Sequence, residues 1–205
     1  MFCPFCAISS AIPPSPSPAL FSSPKGSAYP VLSTPTCIAF LDIAPLSPGH
    51  ILLCPRRHVE KASSMTGAEA AALGFWLPVL GRAVIGALGE SVEGERASWN
   101  VIQANGTEAG QTVPHSHFHV IPRLGEGERG GKARAADEIG DAERKNIALG
   151  EGPRVKLVDG EGRRLMELVK ERVKDEVEGF KAKGEVAGEG EEGLFVRFGG
   201  GGLKL

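Results

Sequence analysis

The chain has 205 residues, 41% of them hydrophobic, 6% aromatic and 23% charged, with a net charge of −2 and a pI near 6.2. That length suits one domain of about 100–150 residues with extensions, while the balanced charge and few aromatics give no drive toward nucleic acid and no platform for base stacking. No run of about 18 apolar residues stands out, and the N-terminus lacks the basic region and continuous apolar core of a secretory signal, so a soluble protein of the cytoplasm, or the nucleus, is expected.

The chain begins with a C-x-x-C at Cys3 and Cys6. A redox pair usually opens a helix after a strand, and no strand precedes this one. A metal pair needs two more ligands, and histidines 50, 58 and 115 are available for them. Cys37 and Cys54 lie inside apolar runs and read as buried spectators. Residues 9–30 are rich in Ser, Pro and Ala and read as a loop too polar to order itself.

Tyr29–Ser33 is expected as a short edge strand. Thr36–Asp42 and His50–Cys54 are apolar runs joined by a turn carrying Pro45, Pro48 and Gly49. Asp42 closes the first run, where its carboxylate can accept hydrogen bonds from a sugar diol or cap the turn. His58 sits in the polar exit after the second run. Thr66-Gly67-Ala68-Glu69 is a capping box, opening a helix to about Leu88 whose Leu73, Leu77, Leu80, Val84 and Leu88 share a face. Pro78 should kink or split it; Phe75 and Trp76 read as core. Ala97–Ala104 is expected as a strand, followed by a turn at Asn105-Gly106.

The stretch Asn105–Arg123 organises the rest. Phe118, Val120 and Ile121 make its second half a strand. On a strand His115, His117 and His119 share one face, with Ser116, Phe118 and Val120 on the other. One metal cannot hold all three, since residues i and i+4 are roughly 13 Å apart and zinc–nitrogen bonds are about 2 Å. A division of labour is implied: one histidine structural, one a nucleophile, one a charge stabiliser. Backbone amides of the Gly-containing turn at Ala109-Gly110-Gln111 can converge on an anion beside His117. Leu124–Lys132 reads as a mobile loop. Gly160–Lys183 reads as a helix with Leu165, Leu168, Val169, Val173, Val177 and Phe180 in one stripe. Residues 184–205 are rich in Gly and Glu, with a possible strand at Leu194–Phe198.

His115-Ser116-His117-Phe118-His119-Val120-Ile121 resembles the His-φ-His-φ-His-φ-φ signature of the histidine triad (HIT) family, with Ser116 in an apolar position. Ala109–Val113, Pro122-Arg123, Phe40–Ile43 and Pro48–Leu52 carry the likeness further. It covers residues 1–6 and 31–125, so the chain divides into an N-terminal segment (1–30), a catalytic core (31–125) and an extension (126–205). The resemblance implies an α+β fold, a five-stranded antiparallel sheet with helices packed on it, in a homodimer. It implies hydrolysis at nucleotide α-phosphates. His117 would attack phosphorus to give a nucleotidyl-histidine that water then cleaves, releasing a nucleoside monophosphate. His119, Thr112 and the amides of Gly110, Gln111, Thr112 and Val113 would stabilise the phosphoryl oxygens. Asp42 matches the position that holds the ribose hydroxyls, and Asn105 and Gln111 match polar positions near the phosphates and leaving group.

The C-x-x-C matches the zinc-bearing branch, which implies a structural zinc on Cys3, Cys6, His58 and His115, with His50 as the rival fourth ligand. The substrates implied are dinucleoside polyphosphates or nucleoside phosphoramidates, with adenine the expected base. The alternatives are a nucleotidyltransferase or phosphorylase that uses phosphate as acceptor, and a nucleotide-binding signalling protein with slow turnover. A DNA-end adenylate remover would carry a basic zinc finger, which the acidic tail argues against.

Overall fold

The structure, a computed structural model, describes residues 2–23, 26–90, 97–123, 154–187, 195–198 and 201–204. Its centre is an antiparallel sheet of five strands: β3 (Pro30–Ser33), β4 (Cys37–Leu41), β5 (Ile51–Pro55), β6 (Trp99–Ile102) and β7 (Phe118–Pro122), in the order β3-β4-β5-β7-β6. The expected five-stranded α+β fold is therefore present, with β3 and β6 at the edges. Among the described residues three α-helices accompany it: α1 (Pro4–Ala11), α2 (Gly67–Ala87) and α3 (Asp159–Ala182). Two smaller pieces lie outside the sheet: a hairpin of β1 (Phe21–Ser23) and β2 (Gly26–Ala28), and a small sheet of β8 (Val186–Ala187), β9 (Phe195–Phe198) and β10 (Gly201–Lys204).

Every residue of β4 and β5 is buried, because both faces of the sheet are covered. Alternation along the strands sorts the side chains. Cys37, Ala39 and Leu41 of β4 and Ile51 and Leu53 of β5 join the large core formed with α2 and α3. Ile38, Phe40, Leu52 and Cys54 point the other way, into a smaller cluster with Cys3, Phe5 and Ile12. His119 pairs with Leu52 across β5 and β7 and so belongs to this second face. The α2–α3 face supplies stability; the α1 face carries the candidate site.

Helix α2 begins with the expected capping box: the Thr66 hydroxyl accepts from the Glu69 amide, and the Glu69 carboxylate accepts from the Thr66 amide and hydroxyl. Arg57 grips the same carboxylate with two hydrogen bonds of 2.8 Å. The helix runs unbroken through Pro78, so the expected split does not occur. Burial of Leu73, Trp76, Val79, Leu80, Val84 and Ile85, at about 1.5–3 kcal/mol for a large apolar side chain, outweighs the roughly 3 kcal/mol that an internal proline costs. Gly81 permits the closest approach: a Cβ there would lie 2.4 Å from the Trp99 ring of β6. By length and composition α2 is apolar enough to cross a bilayer, contrary to the expectation from sequence, and half of that stretch is buried inside the molecule.

Helix α3 packs on α2 and on β3, burying Leu165, Met166, Val169 and Val173 in the same large core. Its stripe is shifted slightly from the expected one: Met166 is buried and Leu168 only half-buried. The Tyr29 hydroxyl donates to Asp159 at 2.8 Å, tying the helix start to the first edge strand.

Two expectations are corrected in the first 30 residues and at the histidines. Residues 9–30 are not wholly irregular: α1 extends to Ala11, Ile12 and Tyr29 are buried, and Phe21–Ser23 pairs with Gly26–Ala28. The composition argument fails because Arg56 organises this segment. Its guanidinium donates to the carbonyls of Ser9 and Ile12, each at 2.8 Å, and also to the Ser33 hydroxyl. The histidine strand is also shorter than expected. Only His119 lies in β7; His115 and His117 precede it, because the Ser116 amide turns away to donate to the Val59 carbonyl. The expected loop at 124–132 lies outside the described residues.

Candidate active site and metal centre

Hydrogen bonding fixes the protonation of each buried histidine, since a carbonyl only accepts and an amide only donates. His117 Nδ1 lies 2.7 Å from the His115 carbonyl. Nδ1 therefore carries a proton, and in the neutral ring the lone pair is on Nε2. Phe5 stands edge-on to this ring at 5.1 Å between centroids, and His119 at 4.9 Å on another side.

The other two histidines form a relay across the sheet. The Leu46 amide donates to His50 Nδ1 at 3.2 Å. His50 must then donate from Nε2 to His119 Nδ1, 2.9 Å away, which leaves the His119 proton on Nε2. Burial, more than the neighbouring charges, pushes His50 well below the ordinary imidazole range and takes His119 down to about 3. Both rings are neutral at pH 7. His50 Nδ1 also lies 3.5 Å from the Asp42 carboxylate, but a neutral ring already accepting at Nδ1 makes no ion pair there. Asp42, His50 and His119 have ligand atoms within 4.8 Å of one another; the His50 Nδ1 lone pair accepts from Leu46, the His119 Nδ1 lone pair from His50, and the Asp42 oxygens from the Ala44 amide and Arg154, so these atoms are engaged within the protein.

His115 is built the opposite way. Its Nε2 donates to the Pro55 carbonyl at 2.9 Å, so the lone pair is on Nδ1. That atom faces Cys3 Sγ at 3.4 Å and Cys6 Sγ at 3.5 Å, while His58 Nδ1 lies 3.2 Å from Cys6 Sγ. All four ligand atoms fall within 4.8 Å of one another. Donors on a tetrahedron around zinc would be separated by roughly 3.3–3.8 Å, given bonds of about 2.0–2.3 Å, so the set fits such an ion. Burial and the neighbouring Cys3 thiol push the Cys6 thiol up to about 11; a cation would reverse that repulsion between thiolates. The set also secures α1, whose eight residues fall short of the roughly 12–15 that a lone helix needs.

Residues 27–126 match the HIT domain. The chain carries a HIT domain. It is 37% identical over 54% of its length to a bifunctional bis(5'-adenosyl)-triphosphatase/adenylylsulfatase FHIT of Arabidopsis thaliana, covering 55% of that protein. It is 39% identical over 45% of its length to an adenosine 5'-monophosphoramidase of Schizosaccharomyces pombe, covering 62% of it. The chain thus spans a little over half the length of these curated relatives. Among solved structures, a hypothetical histidine triad nucleotide-binding protein from Sulfolobus tokodaii shares the fold, with a TM-score of 0.59 at 21% identity, over 84% of this chain and 93% of that one. A zinc-bound histidine triad family protein from Mycobacterium smegmatis does so with a TM-score of 0.52 at 20% identity, over 86% of this chain and 96% of that one.

Within the HIT domain, the remaining expected site residues fall into two sets. Gln111 is committed to its own loop: its amide oxygen accepts from Gly106 at 2.7 Å, and its nitrogen donates to the Glu60 and Val113 carbonyls. The Asn105 side-chain oxygen accepts from the Ala62 amide. These two residues shape the turn around Gly110, which takes a left-handed φ of 87°. Thr112 is exposed on that turn and Val113 is half-buried against the α1 cluster. Asp42 stands at the end of β4, where its Oδ1 accepts from the Ala44 amide at 2.9 Å and its Oδ2 from Arg154 at 2.7 Å.

Two participants escaped sequence reasoning. His50 stands apart from the Cys3, Cys6, His58 and His115 set; it is the partner that sets the His119 tautomer, across 69 residues of chain. Its place beside Pro48-Gly49 at the start of β5, next to the histidine strand, was the available signal. Arg154 lies beyond the family match, and nothing in the local sequence ties it to Asp42.

Proposed function

We propose that this protein is a hydrolase acting on nucleotide α-phosphates through a nucleotidyl-His117 intermediate, with adenine nucleotides as substrates. The observation that carries the reading is the 2.7 Å bond from His117 Nδ1 to the His115 carbonyl. It leaves Nε2 as an unprotonated nucleophile needing no separate base. The Nε2 lone pair forms a bond to the α-phosphorus; the bond to the leaving group breaks, and the leaving group takes the electron pair and a proton from the medium. Water then attacks the same phosphorus, the nitrogen–phosphorus bond breaks, and a nucleoside monophosphate departs. His119, protonated at Nε2 by the relay from His50, donates to a phosphoryl oxygen as charge builds there. Thr112 and the amides of Gly110, Gln111, Thr112 and Val113 are assigned the other phosphoryl contacts. Asp42 receives the ribose hydroxyls. Asn105 and Gln111 serve by holding the turn in shape.

The names of the relatives support a triphosphatase, an adenylylsulfatase or a phosphoramidase, which share one bond type: phosphorus to a displaceable oxygen or nitrogen. We assign zinc to Cys3, Cys6, His58 and His115, with all four positions filled and a structural role: it holds α1, and with it Phe5, against His117. We also read the protein as a homodimer through the β6 edge, where Val101 is exposed.

The test is AMP release from diadenosine triphosphate and from an adenosine phosphoramidate. His117→Ala should lose at least about three orders of magnitude on both. An unchanged rate in the variant would end the mechanism.

A further inference from the structure

The segment after the HIT domain reaches back into the site. Antiparallel backbone bonds lay it along the loop that follows β4: the Val155 amide donates to the Pro45 carbonyl at 3.3 Å and the Leu157 amide to the Ile43 carbonyl at 2.9 Å. Helix α3 anchors it from behind through Asp159 and Tyr29. This strap delivers Arg154 onto Asp42. One guanidinium nitrogen donates to Asp42 Oδ2 at 2.7 Å and to the Ala44 carbonyl at 3.0 Å, while the Ala44 amide holds Oδ1 at 2.9 Å.

The Asp42 side chain is only 9% exposed, and Arg154 is its charged partner at hydrogen-bond distance. His50 is neutral and spends Nδ1 on Leu46, so it cannot balance the carboxylate. A carboxylate without a partner at hydrogen-bond distance is free to turn. A diol needs the reverse: a carboxylate held at a fixed angle, with lone pairs left to accept two hydroxyls. The Arg154 charge also reaches the catalytic rings, contributing to the low pKa of His50 and His119.

We propose that Arg154 is a positioning residue for ribose recognition, holding the Asp42 carboxylate oriented to accept the 2'- and 3'-hydroxyls, so that the segment beyond the HIT domain completes the nucleotide site. The proposal rests on the ribose role assigned to Asp42.

The test measures binding, independent of turnover. Kd is determined by calorimetry for AMP and for 2',3'-dideoxy-AMP, on the wild-type protein, Arg154→Gln and Arg154→Lys. Wild type should bind AMP at least about tenfold more tightly than the dideoxy form, as expected for hydrogen bonds to a charged group. Arg154→Gln should weaken AMP by about tenfold and leave dideoxy-AMP within about twofold, so that discrimination collapses. Arg154→Lys, which keeps a cation, should recover part of it. Discrimination intact in Arg154→Gln overturns the proposal alone, as does an equal loss for both ligands. No discrimination in the wild type removes the ribose role of Asp42, and the proposal falls with it.

Discussion

At the scale of single residues, function rests on which nitrogen carries each proton. Three histidines spaced by two, near a glycine turn, were legible in the sequence, and the resemblance implied the grouping of His115 with Cys3, Cys6 and His58 that the structure brings together. The tautomers of His115 and His119 were not, because each depends on a partner far along the chain: Pro55 for His115, and His50 for His119. Arg154 was invisible for the same reason, 112 residues from Asp42. The buried neutral rings also make a stability prediction. The folded pKa values of His50 and His119 lie below the ordinary 6.5, that of His119 near 3, so the unfolded chain binds protons more readily below about pH 6.5. Their contribution is therefore complete above that pH and is lost as pH falls toward 3. The urea midpoint should drop between pH 7 and pH 5, and His50→Asn should make that drop shallower. An identical pH slope in the variant would contradict this account.

At the scale of elements, the strands and long helices were legible because their signals are local: alternation in β4 and β5, the capping box of α2, the stripe of α3. What misled was composition without context. The Ser/Pro-rich stretch is ordered by Arg56, and α2 absorbs Pro78 through the burial around it. Thr66→Ala should cost about 1 kcal/mol of unfolding free energy by removing the hydroxyl from the Glu69 amide. Gly81→Val should cost about 1–3 kcal/mol or more, because the added carbons meet the Trp99 ring; both are read from urea unfolding. For α1, the Cys3→Ser, Cys6→Ser double variant should lose bound zinc by elemental analysis. Unchanged zinc content would contradict the ligand set.

At the scale of the whole molecule, the core ignores the division drawn from sequence. Residues 159–173 of the extension bury side chains in the same cluster as β3, β4, β5 and α2, a packing that no local pattern announces. Met166→Ala should therefore destabilise the entire fold by about 2–5 kcal/mol, moving the unfolding transition of the HIT domain with it. A separate, low-stability transition for the extension would show that α3 is merely attached.

The central claim is that the His117 imidazole becomes bonded to phosphorus. Its most direct test is rapid quenching of the enzyme in base during turnover of diadenosine triphosphate, followed by peptide mass spectrometry kept at alkaline pH. An adenylyl group on the peptide containing His117, acid-labile and absent from His117→Ala, is the predicted result. Sustained AMP production with no adduct on that histidine, and with the variant still turning over, would contradict it.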